Sequence, residues 1–204
     1  MAIILVRHGE TALNAARVMQ PADTPLSPRG QVQAAALAER LAAQRVAAIL
    51  SSDLPRARLT AEAVAARCAL PLRTSALLQE RNFGALRGQP YDGLGFDPLV
   101  MPDAPPGGES AAEFEQRVLA AFADMLQGHA GLDGDLVVVT HGLLIRTLLA
   151  TALRLPAASL RDLHLGNTSV SIFDAAPPHE LHLLNCTRHL DVAQGDDAHA
   201  LSGG

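Results

Sequence analysis

Two apolar runs rich in branched residues end the same way in this chain. Ala2-Ile3-Ile4-Leu5-Val6 leads into Arg7-His8-Gly9-Glu10-Thr11, and Leu136-Val137-Val138-Val139-Thr140 leads into His141-Gly142. Aliphatic runs of that length broken by glycine predict strands buried on both faces. In an open α/β sheet, ligands sit beyond the carboxyl ends of the strands, so both histidines belong at the mouth of a site. An arginine beside the first histidine narrows the ligand class. A guanidinium grips phosphate with paired hydrogen bonds, and an imidazole works as nucleophile, acid or base near neutral pH.

A third short strand, Ala47 to Leu50, precedes Ser51-Ser52-Asp53-Leu54-Pro55-Arg56. Ser52 or Asp53 suits the cap of the next helix and Pro55 its first turn, which puts Arg56 where helix N–H groups also favour an anion. Gln79-Glu80-Arg81-Asn82-Phe83-Gly84 then supplies a carboxylate just after the apolar Leu77-Leu78.

In this order the motifs resemble the histidine phosphatase superfamily, the phosphoglycerate mutase-like family, from Ile3 to about Leu184. The resemblance rests on the Arg7 to Thr11 start with Asn14, Leu26-Ser27-Pro28-Arg29-Gly30 with Gln33-Ala34, the Ser52 to Ala57 segment, Glu80 with Phe83-Gly84, Gly108-Glu109-Ser110, and Thr140-His141-Gly142. It implies that His8 is the phosphorylated nucleophile and that Arg7, Arg56 and His141 hold the phosphoryl group with Asn14. It further implies that Glu80 is the proton donor and that Gln20, Arg81 and Gly142 touch substrate. Glu10 and Glu109 are the next candidates for the acid.

That chemistry is physically coherent. Phosphoryl transfer needs chiefly positioning and charge stabilisation around the equatorial oxygens. His8 must be neutral at its attacking nitrogen, with the other nitrogen donating to a backbone carbonyl, for which Gly9 is the candidate. The leaving alkoxide needs a proton, so Glu80 must start as the acid and later serve as base for water. No metal and no cofactor is implied. His129, His164, His179, His182, His189 and His199 lack paired zinc-type spacing, and His179 and His182 are expected to be exposed near a strand start.

Composition sets the remaining bounds. With 204 residues and 49% hydrophobic content, one domain can bury a full core. The net charge of -5 argues against a nucleic-acid surface. Cys68 and Cys186 are expected as buried thiols rather than a disulfide framework. No leader pattern or membrane-length apolar run is apparent, so a cytoplasmic location is expected, with no membrane partner.

The expected fold is α/β: a three-layer sandwich with a mostly parallel central sheet flanked by helices, phosphoglycerate mutase-like. Beyond the strands above, Pro71 to Thr74, Val170 to Phe173 and Leu181 to Leu184 complete the sheet. One helix starts at Ser27-Pro28 with Val32, Ala35, Ala36, Ala38 and Leu41 on its apolar face, and another spans Glu113 to Leu126, opened by a capping box from Ser110 to Glu113. Residues 1–190 are expected to form one domain with a lid insertion at about 84–110, and 191–204 a flexible tail. The Gly- and Pro-rich insertion, with Phe83, Tyr91, Leu94, Phe96, Leu99 and Met101, suits a leaving-group lid, an apolar cover for the sheet or a homodimer contact equally.

The expected activity is a metal-independent phosphomonoesterase that passes through phosphohistidine on a small phosphorylated metabolite. The alternatives are mutase-type phosphoryl transfer and a non-catalytic phosphate-binding module, although a mere binding module has no need of both nucleophile and acid. The mutase pattern carries a lysine where this chain has Tyr91, and this chain contains no lysine at all. Two other departures are Pro21, where the family pattern has glycine after Gln20, and Leu143 after Gly142.

Overall fold

The computed structural model describes residues 1–190; the expected tail at 191–204 lies outside the described residues. Six strands form one sheet in the order β3-β2-β4-β1-β5-β6. They are β1 (Ala2–Arg7), β2 (Val46–Ser52), β3 (Leu72–Ser75), β4 (Asp135–Thr140), β5 (Val170–Asp174) and β6 (Leu181–Cys186). The β3-β2-β4-β1 block is parallel, and β5 and β6 add an antiparallel edge.

Alternation along β1 and β4 assigns the two faces. Ile3, Leu5, Leu136 and Val138 point into one apolar cluster with α4 (Ala111–His129) and α5 (Gly142–Thr151). Ile4, Val6, Val137 and Val139 point into the other with α2 (Pro28–Ala42) and α3 (Pro55–Cys68). The chain is therefore the expected three-layer α/β sandwich. Strands covered on both sides need apolar residues at every position, and each buried aliphatic side chain contributes about 1.5–3 kcal/mol.

Helix α2 buries Ala38 and Leu41 of its expected apolar face but not Val32, Ala35 or Ala36, so its inward face is rotated from the pattern. Gly30, Gln33, Ala34, Leu37, Ala38 and Leu41 are buried, while Val32 is 49% exposed. Gln33 is inside because its Oε1 accepts the Glu10 N–H at 2.8 Å. A periodicity pattern scores polar residues as surface, so it cannot register a helix turned by such a hydrogen bond. The turn after β1 also packs backbone to backbone here. A Cβ on Gly9 would lie 2.7 Å from the Gly30 carbonyl oxygen, and one on Gly30 would lie 2.0 Å from that of Glu10. Glycine is required at both positions.

The Ser110–Glu113 capping box is present in both directions, but the helix it opens is longer than expected, Ala111–His129. The cap expected on α3 is absent. Leu54 is the N-cap with no side-chain bond, and Ser52 Oγ accepts the N–H of Leu54 rather than one inside the helix. Between Gly84 and Gly108, two single turns of 3-10 helix, Gly84–Leu86 and Tyr91–Gly93, punctuate an otherwise irregular stretch. Leu86, Tyr91, Leu94 and Leu99 pack against the α4/α5 cluster, while Phe96 and Val100 are exposed. Among the described residues, no helix is long and apolar enough to cross a membrane.

Candidate active site

The carboxyl ends of β1, β2 and β4 bring His8, Arg7, Ser52 and His141 together beneath the first turn of α3. The two imidazole rings lie 5.2 Å apart between centroids, and both are buried. His8 Nδ1 donates to the Gly9 carbonyl oxygen at 2.7 Å, as expected from the sequence. That bond fixes the tautomer and leaves the lone pair on Nε2. The His8 carbonyl is held in turn by the side chain of Asn167 at 3.0 Å and the backbone N–H of Thr168.

Arg7 and Arg56 are 1% and 2% exposed. Arg7 donates to the Leu165 carbonyl. Among the described residues, the Arg56 guanidinium has one long bond, to the Pro21 carbonyl at 3.4 Å, and its Nε has no partner. Burial pulls the Arg56 pKa down to about 10, against the pull of Glu80, so it still carries its charge at neutral pH. The helix that carries it is pinned to the turn after β1. Thr60 Oγ1 accepts the Gly9 N–H at 3.0 Å and donates to the Arg56 carbonyl at 2.7 Å.

His141 Nε2 is 2.9 Å from Ser52 Oγ, which also accepts the Leu54 N–H. With the serine hydroxyl donating to Nε2, the ring proton sits on Nδ1, a buried atom with no partner among the described residues. An incompletely bonded guanidinium and an unpaired ring nitrogen, both buried, are costly unless an anion completes them.

Glu80, 3% exposed, is at the N-terminus of α5. Its Oε2 accepts the Leu143 N–H at 3.0 Å, and its Oε1 accepts those of Leu144 at 3.2 Å and Arg81 at 3.1 Å. A carboxyl group offers about four lone-pair positions, so three N–H bonds leave one, on Oε2, for a proton. The loop beneath it is fixed by Arg117 of α4. That side chain bonds the carbonyls of Leu77, Gln79 and Glu80 and forms a bidentate ion pair with Glu109.

A family model described as histidine phosphatase superfamily, branch 1, matches residues 3–187. The chain belongs to this superfamily. A probable phosphoglycerate mutase GpmB of Yersinia pestis (strain Pestoides F) is 38% identical over 186 residues, 84% of each chain. Among solved structures, a mycobacterial glucosyl-3-phosphoglycerate phosphatase in complex with VO3 superimposes with a TM-score of 0.78 at 31% identity, over 90% of this chain and 98% of that one. A phosphoserine phosphatase mutant from Entamoeba histolytica, in complex with phosphoserine, also has a TM-score of 0.78. It is 26% identical over 93% of this chain and 98% of that one.

In this member of the histidine phosphatase superfamily the residues expected at the site separate into two groups. His8, Arg7, Arg56, His141 and Glu80 converge, and Gly142 opens α5 directly after His141. Asn14 lies nearby, its Nδ2 donating to Asn167 at 3.3 Å, and Gln20 accepts the Thr11 hydroxyl at 2.6 Å. Arg81 is turned to the insertion, where it donates to the carbonyls of Asp103 and Glu109. The reserve acids have other partners. Glu10 accepts the Ser27 hydroxyl and pairs with Arg29, while Glu109 is held by Arg117 and the Asn82 N–H.

Ser52 lies in a family motif but reads there as a helix cap, and Thr60, Arg117 and Asn167 are not marked as site residues, because each acts through a contact between segments far apart in the chain. Pro21 and Leu143, the two departures from the family pattern, supply a backbone carbonyl to Arg56 and a backbone N–H to Glu80. At the far end of β5, strand pairing brings His182 Nε2 to 3.0 Å from Asp174, with Glu180 alongside. Histidine spacing alone does not show that cluster, which is largely exposed.

Both site histidines are held well below the ordinary 6.5, by burial first and then by Arg56; Arg7 adds to this, and only the Gly9 bond opposes it at His8. The unfolded chain therefore binds more protons below pH 6.5, and folding stability falls as pH drops from there toward the folded values. Each histidine costs up to about 1.4 kcal/mol per pH unit in that window. Between pH 7.5 and 5, urea unfolding should show the wild type losing about 2 kcal/mol more than His141→Gln. Equal losses would mean that His141 is protonated in the folded protein.

Proposed function

We propose that the protein is a metal-independent phosphomonoesterase acting on a small phosphorylated metabolite through a phosphohistidine intermediate. The observation that carries this reading is the tautomer lock on His8, which leaves Nε2 bare in a site shared with two buried guanidiniums and with His141, whose Nδ1 has no partner among the described residues. Arg7, Arg56, His141 and Asn14 bind the phosphoryl oxygens, and Gln20 and Gly142 border the pocket. Nε2 attacks phosphorus, and the bond from phosphorus to the ester oxygen breaks as Glu80 delivers its Oε2 proton to that oxygen. The His8 Nδ1 proton stays hydrogen-bonded to the Gly9 carbonyl throughout. Water then attacks the phosphoryl group, Glu80 takes its proton, and the P–N bond breaks to release phosphate.

Hydrolysis is favoured over mutase transfer by the insertion. Tyr91, which stands where the mutase pattern has lysine, donates its hydroxyl to Asp97 at 2.6 Å and packs under Arg17. It supplies no cation for a second phosphate. The phosphatases among the solved structures point the same way, whereas the Yersinia relative's name favours the mutase. The free thiols of Cys68 and Cys186 are consistent with a cytoplasmic location.

The deciding measurement is incubation with 3-phosphoglycerate, with and without 2,3-bisphosphoglycerate, following both inorganic phosphate and 2-phosphoglycerate. Phosphate release independent of the bisphosphate is expected. Bisphosphate-stimulated 2-phosphoglycerate without phosphate release would establish the mutase.

A further inference from the structure

Arg87 is a cation that the phosphoryl chemistry does not use. It closes the Gly84–Leu86 turn, and the chain that follows it is fixed to the segment after α1 (Ala12–Ala15). The Gly88 N–H donates to the Met19 carbonyl at 2.6 Å, the Met19 N–H to the Gln89 carbonyl at 3.0 Å, and the Tyr91 N–H to the Arg17 carbonyl at 2.8 Å. Two residues beyond Met19, the Pro21 carbonyl accepts from Arg56. Arg87 and Arg56 therefore flank the same short stretch, and the charge of Arg87 weakens proton binding at Arg56.

Other partly or fully buried arginines of the insertion and its surroundings are engaged. Arg81 donates to two carbonyls, Arg117 to a carboxylate and three carbonyls, and Arg146 to the carbonyls of Leu160 and Leu163. Arg87 is also partly buried, which pulls its pKa down despite nearby Glu109. Yet among the described residues its guanidinium has no hydrogen bond or ion pair, since Glu109 is already held by Arg117. A half-desolvated guanidinium beside a second buried one repels it, and at Arg87 the attraction of nearby Glu109 does not offset the loss of water. A bound anion reverses both terms. The phosphoryl group answers Arg56; a different negative group, on the leaving-group side, is needed to answer Arg87.

We propose that Arg87 selects substrates whose leaving group carries a carboxylate, which it holds through a paired guanidinium–carboxylate contact at the insertion side of the pocket. This rests on the phosphatase reading above, and it names the feature of the substrate that the phosphoryl site cannot read.

The test compares two esters of one carbon skeleton, 3-phosphoglycerate and glycerol 3-phosphate, and reads the ratio of their kcat/KM values. The wild type should prefer the carboxylate by about tenfold to a hundredfold, the range for a charge-assisted hydrogen-bonded contact. Arg87→Gln should bring the ratio near one, Arg87→Lys should restore part of it, and Arg87→Glu should invert it. A wild-type ratio near one, or a ratio that survives in Arg87→Gln, overturns the proposal. If the wild type hydrolyses neither ester, nor p-nitrophenyl phosphate, the phosphatase reading has failed instead. The Arg87 proposal is then decided by the ratio of dissociation constants for the same two ligands in wild type and Arg87→Gln, with the same outcomes.

Discussion

His8→Ala is expected to lower phosphate-ester turnover by at least about a thousandfold, because it removes the atom proposed to form the covalent intermediate. The fold should survive. Among the described residues the ring bonds only to the carbonyl of its own neighbour, Gly9, so its loss leaves no distant partner there unsatisfied. The direct readout is the intermediate. Wild type mixed with substrate and quenched in alkali should gain one phosphoryl group on the peptide containing His8. The adduct should be lost on brief acid treatment, as expected for a P–N bond, and should be absent from His8→Ala. Wild type that turns over without ever carrying phosphate on His8 would mean that water attacks directly and that the two histidines only bind. A variant that keeps activity within tenfold of wild type would move the nucleophile elsewhere.

The parts of this site written in single segments are legible in the amino-acid sequence. The strand that carries His8, the second that carries His141, and the Pro55-Arg56 helix start each combine an apolar run with a local motif. The Gly9 carbonyl lies one residue from the ring it fixes, so the tautomer lock is legible as well. Contacts that close across the sheet are not. Ser52 resembles a helix cap because serine before proline usually is one, but its hydroxyl is needed by His141, 89 positions away. Arg117 resembles one more polar residue on α4, although it organises the loop under Glu80. The inward face of α2 departs from its apolar pattern for the same reason. Gln33 is buried by a partner on another segment, which hydrophobic periodicity cannot register.

Arg87 sits between these cases. Its place beside Gly88 in the insertion is visible in the sequence, and so is the shortage of cations at the mouth once Tyr91 replaces the lysine of the mutase pattern. What the sequence does not show is that neighbouring Arg81 is consumed by backbone carbonyls while Arg87 is not.

Glu80→Gln should separate binding from proton delivery more sharply than any other substitution. For an alkyl phosphate the loss should be about a hundredfold to ten-thousandfold, the usual worth of a positioned acid. For p-nitrophenyl phosphate, whose leaving group departs as a stabilised phenolate, it should be no more than about tenfold. The substitution also has a structural cost that must be kept apart. Glutamine still offers one oxygen, but its amide nitrogen must then face a backbone N–H at one of the positions that glutamate satisfies, either Leu143 or the pair Leu144 and Arg81. Two donors facing each other at such a distance cost on the order of 1–3 kcal/mol of stability. A lowered melting temperature is therefore expected with either substrate present, and it lowers both rates together where the fraction folded falls. Only the ratio of the two losses reports proton transfer. A large ratio assigns the acid to Oε2 of Glu80. Equal losses would mean that Glu80 merely holds the start of α5, and with Glu10 tied to Ser27 and Glu109 to Arg117, the proton would have to come from solvent or from the substrate itself.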